Sequence, residues 1–407
     1  MKTNRRNFVR GVSALAVLGG IKTASAEKKY SDGASDTEIR IGHTGPYSGP
    51  ASSYGVIGKS IEAYWKMVND KGGINGRKVT FITYDDGYSP PKTVEMTRKL
   101  VEQDKVLCIF NPLGTPTSTA VHKYMNRKKV PHLFIGAGAT KWGDPEHFPW
   151  TIGWQPDYQT EAGIYAKHAL AEHKGEKICM LWQNDDAGKD YAEGFLKGLG
   201  KENEKLVVAS VSYEPTDATV DSQIIQLKNS GATVLFSHVI PKQAAQAIRK
   251  AAELGWKHTH YLANVSASVG AVMKPAGFEN CQGIISSAYL KDPTDPQWAS
   301  APDFVQWKEW MEKYQPAANQ ADQFNVYAYA VSATMHEMLK ECGDELTREN
   351  LMKHVASMKD LEIPLLLPSI KLNTSATDYY PIQSMRLQRF KGEGWELFGD
   401  IISSEHA

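Results

Sequence analysis

The sequence predicts an α/β protein made of two parallel-sheet lobes, with a helical return near the end of the chain. Three observations support this. Between residues 38 and 135, short apolar runs alternate with amphipathic stretches, each strand-like run followed by a helical one. A Gly- and Pro-containing break at residues 143–150 ends that series, and the alternation restarts and runs to residue 263. Three helical stretches and a final pair of strands fill the remainder, and 407 residues are enough for two or more real cores.

In order, residues 38–42 alternate as a first strand and residues 45–50, GPYSGP, form a turn. Ile57, Ile61, Tyr64, Trp65 and Val68 then mark one face of a helix, which KGGING at residues 71–76 breaks. A strand at 79–84 ends in Asp85 and Asp86, followed by a helix at 91–104, a strand at 106–110, a helix at 117–127 and a strand at 132–135. After the break, residues 150–154 are extended, 157–173 helical, 177–182 a strand, 190–201 helical and 207–213 a strand. Residues 220–228 are helical, 233–237 a strand, 243–254 helical, 260–263 a strand and 282–290 extended. The Pro-rich segment 292–302 marks a crossing between lobes. Helices follow at 303–314, 323–339 and 347–358, and residues 380–401 form two strands joined by Lys391, Gly392, Glu393 and Gly394.

Lys plus Arg equals Asp plus Glu at 46 each, a balance that argues against a nucleic-acid partner. At the N-terminus, Arg5 and Arg6 with Phe8 two places on form a twin-arginine pattern. A short apolar run at 11–21 and Ala24-Ser25-Ala26 complete a signal peptide over residues 1–26, too short to span a bilayer. Export in the folded state is expected, with the unfolded-chain route as the alternative. No Cys follows Ala26, and no later stretch offers 18 uninterrupted apolar residues, so a soluble periplasmic protein is expected, as a monomer. Cys108 and Cys179 lie in apolar runs and read as buried thiols, while the spacing of Cys281 and Cys342 leaves their pairing open. No CxxC or Cys/His cluster points to a metal, and no cofactor is expected.

The chemistry gathers where strands end. After the 106–110 strand come Asn111, Pro112, Leu113, Gly114, Thr115, Pro116, Thr117 and Ser118; after 132–135 come Gly136, Ala137, Gly138, Ala139 and Thr140. In open α/β sheets ligands sit beyond the carboxyl ends of strands, and a helix start offers free N–H groups and hydroxyls to an anion. The GAGAT run has Lys141 where a dinucleotide fingerprint needs its third glycine, and it follows a late strand, so a nicotinamide-dependent enzyme is a distant alternative. Walker, HExxH and GxSxG motifs are missing, and catalysis is not expected. The acid pairs Asp85-Asp86 and Asp185-Asp186 read as turn and helix caps, since neighbouring side chains in extended chain point opposite ways.

Four stretches, IGHTGPYSGPASSYG, GGINGRKVTFITYDDGYSP, the two strand-end loops and DDAGKDYAEGFLKGL, together resemble the periplasmic leucine/isoleucine/valine-binding proteins from residue 39 onward. These are solute-binding components of ABC importers. The resemblance implies the type I periplasmic binding protein fold, two Rossmann-like lobes joined by three crossover segments and closing on a small molecule. Residues 36–150 and 291–380 would form the N-terminal lobe, and residues 151–290 and 381–407 the C-terminal lobe. The implied partners are a membrane permease and its ATPase subunits, although a sensor reporting to a receptor would use the same closure.

By the same resemblance, Tyr54 matches an aromatic that packs on the ligand. Leu113, Gly114 and Thr115 match a loop that holds a ligand carboxylate, and Ala137, Gly138 and Ala139 match its neighbour. Ala187 stands where the family often has Tyr, which enlarges the cleft. Asn264 stands near the position of an acidic residue that pairs with an amino acid's ammonium. His238, Val239 and Ile240 replace small and aromatic residues, with His238 either a donor to a ligand oxygen or structural. Trp154, Tyr158 and Phe324 read as core rather than contact. A buried ammonium without a carboxylate is costly, so the expected ligand is an apolar acid, aromatic acids leading, with branched-chain or other amino acids as the alternative.

Overall fold

A computed structural model describes residues 28–404, so the signal peptide lies outside the described residues. The first strand, β1 (Lys29–Tyr30), falls in what reads from sequence as a polar tail. Then follow β2 (Glu38–Gly45), α1 (Gly55–Asp70), β3 (Lys78–Asp85), α2 (Pro90–Arg98), β4 (Cys108–Phe110), α3 (Thr115–Lys128), β5 (His132–Ile135) and β6 (Thr151–Gly153). The second series is α4 (Tyr158–Glu172), β7 (Ile178–Gln183), α5 (Asp186–Leu199), β8 (Val207–Tyr213), α6 (Asp221–Asn229), β9 (Val234–His238), α7 (Pro241–Glu253) and β10 (Thr259–Leu262). A single turn α8 (Lys274–Ala276) precedes β11 (Ile285–Ala288), α9 (Pro302–Tyr314), α10 (Gln323–Glu341), β12 (Glu345–Leu346), α11 (Arg348–Val355), β13 (Ser384–Lys391) and β14 (Gly394–Ser403).

The strands form a five-stranded parallel sheet in the order β3-β2-β4-β5-β6 and a seven-stranded sheet in the order β14-β13-β11-β10-β9-β7-β8. Within the second sheet β13 alone is reversed, running antiparallel to both its neighbours, β11 and β14. Central strands β4, β5 and β9 are buried at every residue, as parallel strands covered by helices on both faces must be. Each sheet reverses direction beside its first strand, between β2 and β4 in one and between β7 and β9 in the other. Those reversals open crevices at the strands' carboxyl ends.

Two local departures from the sequence reading matter. Residues 151–153, expected to open the second lobe, pair through β6 with β5 and form the edge of the first sheet. α5 begins at Asp186 rather than 190, because the Asp185 side chain accepts the N–H groups of Ala187 and Gly188 and caps the helix early. β1 pairs with β12, and the buried Arg77 ties both ends together by donating to Tyr30 Oη at 3.0 Å and Asp344 Oδ1 at 2.6 Å. All four cysteines are buried and free, so Cys281 and Cys342 are not bonded to each other; Cys281 donates to backbone carbonyls instead.

Candidate functional site

Both crevices open onto one cavity with about 620 Å³ of space free of protein atoms, part of it open to solvent. Strand ends supply its walls: Leu113, Gly114 and Thr115 after β4, Gly136 after β5, Gln183 at the end of β7 and Ala187 after it, His238 at the end of β9 and Ile240 after it, and Asn264 and Val265 after β10. Crossings and α10 supply the rest, including Gln155, Tyr158, Tyr289, Gln323, Phe324 and Tyr327. Tyr54, Ile57 and Tyr88 close the side formed by the first unit.

Of the residues expected from sequence, Tyr54, Leu113, Gly114, Thr115, Ala187, His238, Ile240 and Asn264 line this cavity. Ala137, Gly138 and Ala139 do not. Their loop is drawn away because the Gly138 carbonyl accepts the Tyr158 N–H at 2.8 Å. A Cβ at Gly138 would lie 2.5 Å from the Pro156 carbonyl oxygen, so the two segments touch through backbone there. Only Gly136, one residue earlier, reaches the cavity. Beyond Ala139 the chain makes a short turn, Thr140–Gly143, in place of the long helix that a dinucleotide loop requires.

At the first-unit end, Gly114 takes φ +103° at the N-cap of α3. The Thr117 hydroxyl turns back to the carbonyls of Leu113 and Gly114, stiffening the loop. Thr115, 2% exposed, keeps its Oγ1 without a hydrogen-bond partner among the described residues, beside first-turn N–H groups that no helix satisfies internally. An unpartnered hydroxyl at a helix start suits an anionic oxygen.

The opposite wall is aromatic. Tyr191 stacks on Tyr158 at 4.3 Å between centroids and on His238 at 4.4 Å. Burial drives the His238 pKa down to about 3, so the imidazole is neutral, and its Nδ1 has no partner among the described residues. Below this wall, Glu161 accepts hydrogen bonds from Tyr165 Oη (2.6 Å), Tyr191 Oη (2.7 Å) and the Asn264 N–H (2.6 Å). Burial holds its pKa above the ordinary carboxylate value, and these donors offset only part of that rise. Glu161 is not among the lining residues; it holds Asn264, which is, and Tyr191, which backs the lining residues Tyr158 and His238.

The acid pairs act as caps and turns. Asp85 accepts the N–H groups of Tyr47, Ser48 and Gly87, and Asp86 accepts that of Tyr88, turning Tyr88 to φ +60° and toward the cavity. Hydrogen bonds also cross the rim: Tyr54 Oη donates to the Val265 carbonyl at 2.9 Å, and Gln183 Nε2 to Tyr88 Oη at 3.4 Å. An ion pair between Lys141 and Asp186, at 2.6 Å, adds a third tie.

Sequence reasoning missed much of the lining. Tyr158 and Phe324, read as core, line the cavity, whereas Trp154 is fully buried between Tyr289 and Tyr327. Tyr88, Gln155, Gln183, Tyr289, Gln323 and Tyr327 carried no sequence signal beyond their place near crossings and turns. In sum, six Tyr and Phe rings (Tyr54, Tyr88, Tyr158, Tyr289, Phe324 and Tyr327) face the cavity, and no Asp, Glu, Lys or Arg does among the described residues.

The chain's residues 38–394 match the family model described as periplasmic binding protein. A "Leu/Ile/Val-binding protein homolog 7" from Brucella suis is 24% identical over 315 residues, 74% of each chain. Among solved structures, a branched-chain amino acid ABC transporter protein from Thermus thermophilus with bound valine superposes with a TM-score of 0.81 at 16% identity, covering 91% of this chain and 97% of that one. A fatty acid ABC transporter substrate-binding protein from Thermomonospora curvata gives a TM-score of 0.76 at 21% identity, covering 93% and 95%.

Proposed function

The chain belongs to the periplasmic binding protein family, and we propose that it captures a small acid with an aromatic or other apolar body in this cavity for an ABC importer. The acid's carboxylate meets Thr115 and the start of α3, and its apolar body lies among the rings. Two units close around it, the closed form docks on a membrane permease, and ATPase subunits drive release. This work is done in the periplasm, after export by the twin-arginine route. The observation that carries the ligand class is the lining: six aromatic rings and, among the described residues, no carboxylate to balance an ammonium. Aromatic faces bury large areas, and a neutral imidazole adds no charge.

A second reading, a branched-chain or other amino acid, draws support from the Brucella relative and from the valine held by the Thermus protein. Thermal unfolding with a panel of benzoate, 3-phenylpropanoate, hydroxycinnamate, leucine, valine and phenylalanine separates the two. A ligand at a hundred times its Kd adds about 2.7 kcal/mol. The acids are expected to raise Tm and the amino acids to leave it unchanged; the reverse pattern favours the second reading.

A further inference from the structure

Behind the cavity wall, Asn111 at the end of β4 is fully buried and holds φ +50°, a left-handed conformation that Asn tolerates better than most residues. Its side-chain Nδ2 donates to the Phe134 carbonyl at 2.7 Å and to Tyr327 Oη at 2.8 Å. A carbonyl only accepts, so the Phe134 contact fixes which end of the amide is the nitrogen. Both amide hydrogens are thereby used, and the Tyr327 phenol oxygen is an acceptor in this pair. Its own hydrogen has no acceptor among the described residues, and Tyr327 lines the cavity.

Tyr327 also sits beside the carboxylate end. The Gly136 carbonyl accepts the Gly114 N–H, and Leu113 bridges to Gly136. A Cβ placed on Gly136 would lie 3.6 Å from Asn111 Nδ2. Asn111, Tyr327 and the Thr115 loop are thus one bonded neighbourhood.

We propose that Asn111 makes Tyr327 a one-way donor, and that this O–H together with Thr115 fixes the orientation of the bound acid, its carboxylate at the first-unit end. The proposal rests on the acid-binding reading and adds a specificity-determining residue to it. With Asn111 filling one acceptor position of Tyr327, this pole turns two hydroxyl donors toward a carboxylate and, among the described residues, offers an ammonium no charged acceptor. Tyr327 touches the ligand, and Asn111 acts through it as a positioning residue.

The test uses the mature protein and whichever of benzoate, 3-phenylpropanoate and 4-methylpentanoate binds it most tightly, beside the corresponding primary amide. Tyr327→Phe removes the donor and keeps the ring. It is expected to weaken the acid by about tenfold to a hundredfold and the neutral amide by much less. Asn111→Asp replaces the donor nitrogen with an acceptor that draws the phenol hydrogen away from the cavity, and it is expected to weaken the acid at least as much. Should Asn111→Asp fail to fold, Tyr327→Phe decides alone. Unchanged acid affinity in Tyr327→Phe, or an equal loss for acid and amide, overturns the proposal while leaving acid binding intact. A wild-type protein that binds none of the acids overturns both.

Discussion

Replacing Glu161 by Leu is expected to cost about 3–5 kcal/mol of stability, through a handful of buried hydrogen bonds behind the cavity wall. Its carboxylate receives two phenol hydrogens, from Tyr165 and Tyr191, and the Asn264 N–H, with the Ser287 hydroxyl at 3.4 Å. These donors come from α4, α5, the turn after β10 and β11, so one side chain joins four pieces of the second unit. Leu fills a similar volume but accepts nothing, leaving the Tyr191 hydroxyl and the Asn264 N–H buried without this acceptor, while Tyr165 Oη keeps the Ser287 hydroxyl at 2.8 Å and the Leu262 carbonyl at 3.3 Å. Glu161→Gln keeps the shape and one carbonyl oxygen, and its cost is expected to be smaller, about 1–2 kcal/mol. Chemical unfolding of the three proteins checks this ranking. A Glu161→Leu protein with wild-type stability would mean that the buried donors have found other partners. Ligand affinity should fall with it, since Tyr191 supports the His238 ring and Asn264 lines the cavity.

Gly114→Val is expected to nearly abolish binding. At φ +103° a β-branched residue is badly strained, and a Cβ there would lie 2.5 Å from Tyr88 Cε2 and 2.7 Å from Thr117 Oγ1. Neither neighbour can retreat cheaply. Tyr88 is held by its Asp86 turn and by Gln183, and Thr117 by two carbonyls. The chain must therefore either shift α3's first turn, which displaces Thr115, or push Tyr88 into the cavity. Both outcomes remove ligand contacts, so affinity for any acid should fall at least about a hundredfold, with about 1–3 kcal/mol lost in stability. Calorimetric titration reads the first effect and thermal unfolding the second. Wild-type affinity in this variant would place the ligand elsewhere.

The strand ends were legible because sequence order and spatial order coincide there. Leu113 and Thr115 lie in the loop after the 106–110 run, and parallel sheets align such ends, whereas Ala187, His238 and Asn264 were reached through the family resemblance. The loop at 137–139 was misplaced by a contact invisible in sequence, the Tyr158 N–H on the Gly138 carbonyl. Residues from crossings and from α10 were harder still. Tyr289 follows β11 at a crossing and Tyr327 lies on α10, and the packing of Trp154 between them, with the Asn111 hydrogen bond to Tyr327, sets their rings against the cavity. Tyr158 and Phe324 sit in first helical turns, where an aromatic serves equally well as core. The start of α5 was misread for want of weight given to Asp185 as a cap, although the residue itself was singled out.

The most direct measurement is a calorimetric comparison of 3-phenylpropanoate with phenylalanine, and of 4-methylpentanoate with leucine. Members of each pair share carboxylate and side chain and differ by one ammonium. A cavity lined by rings, Thr115 and a neutral His238, with no carboxylate facing it among the described residues, predicts that each acid binds at least about tenfold more tightly than its amino acid. Tighter binding of phenylalanine or leucine would show that the ammonium finds a partner in this cavity, and would contradict the account.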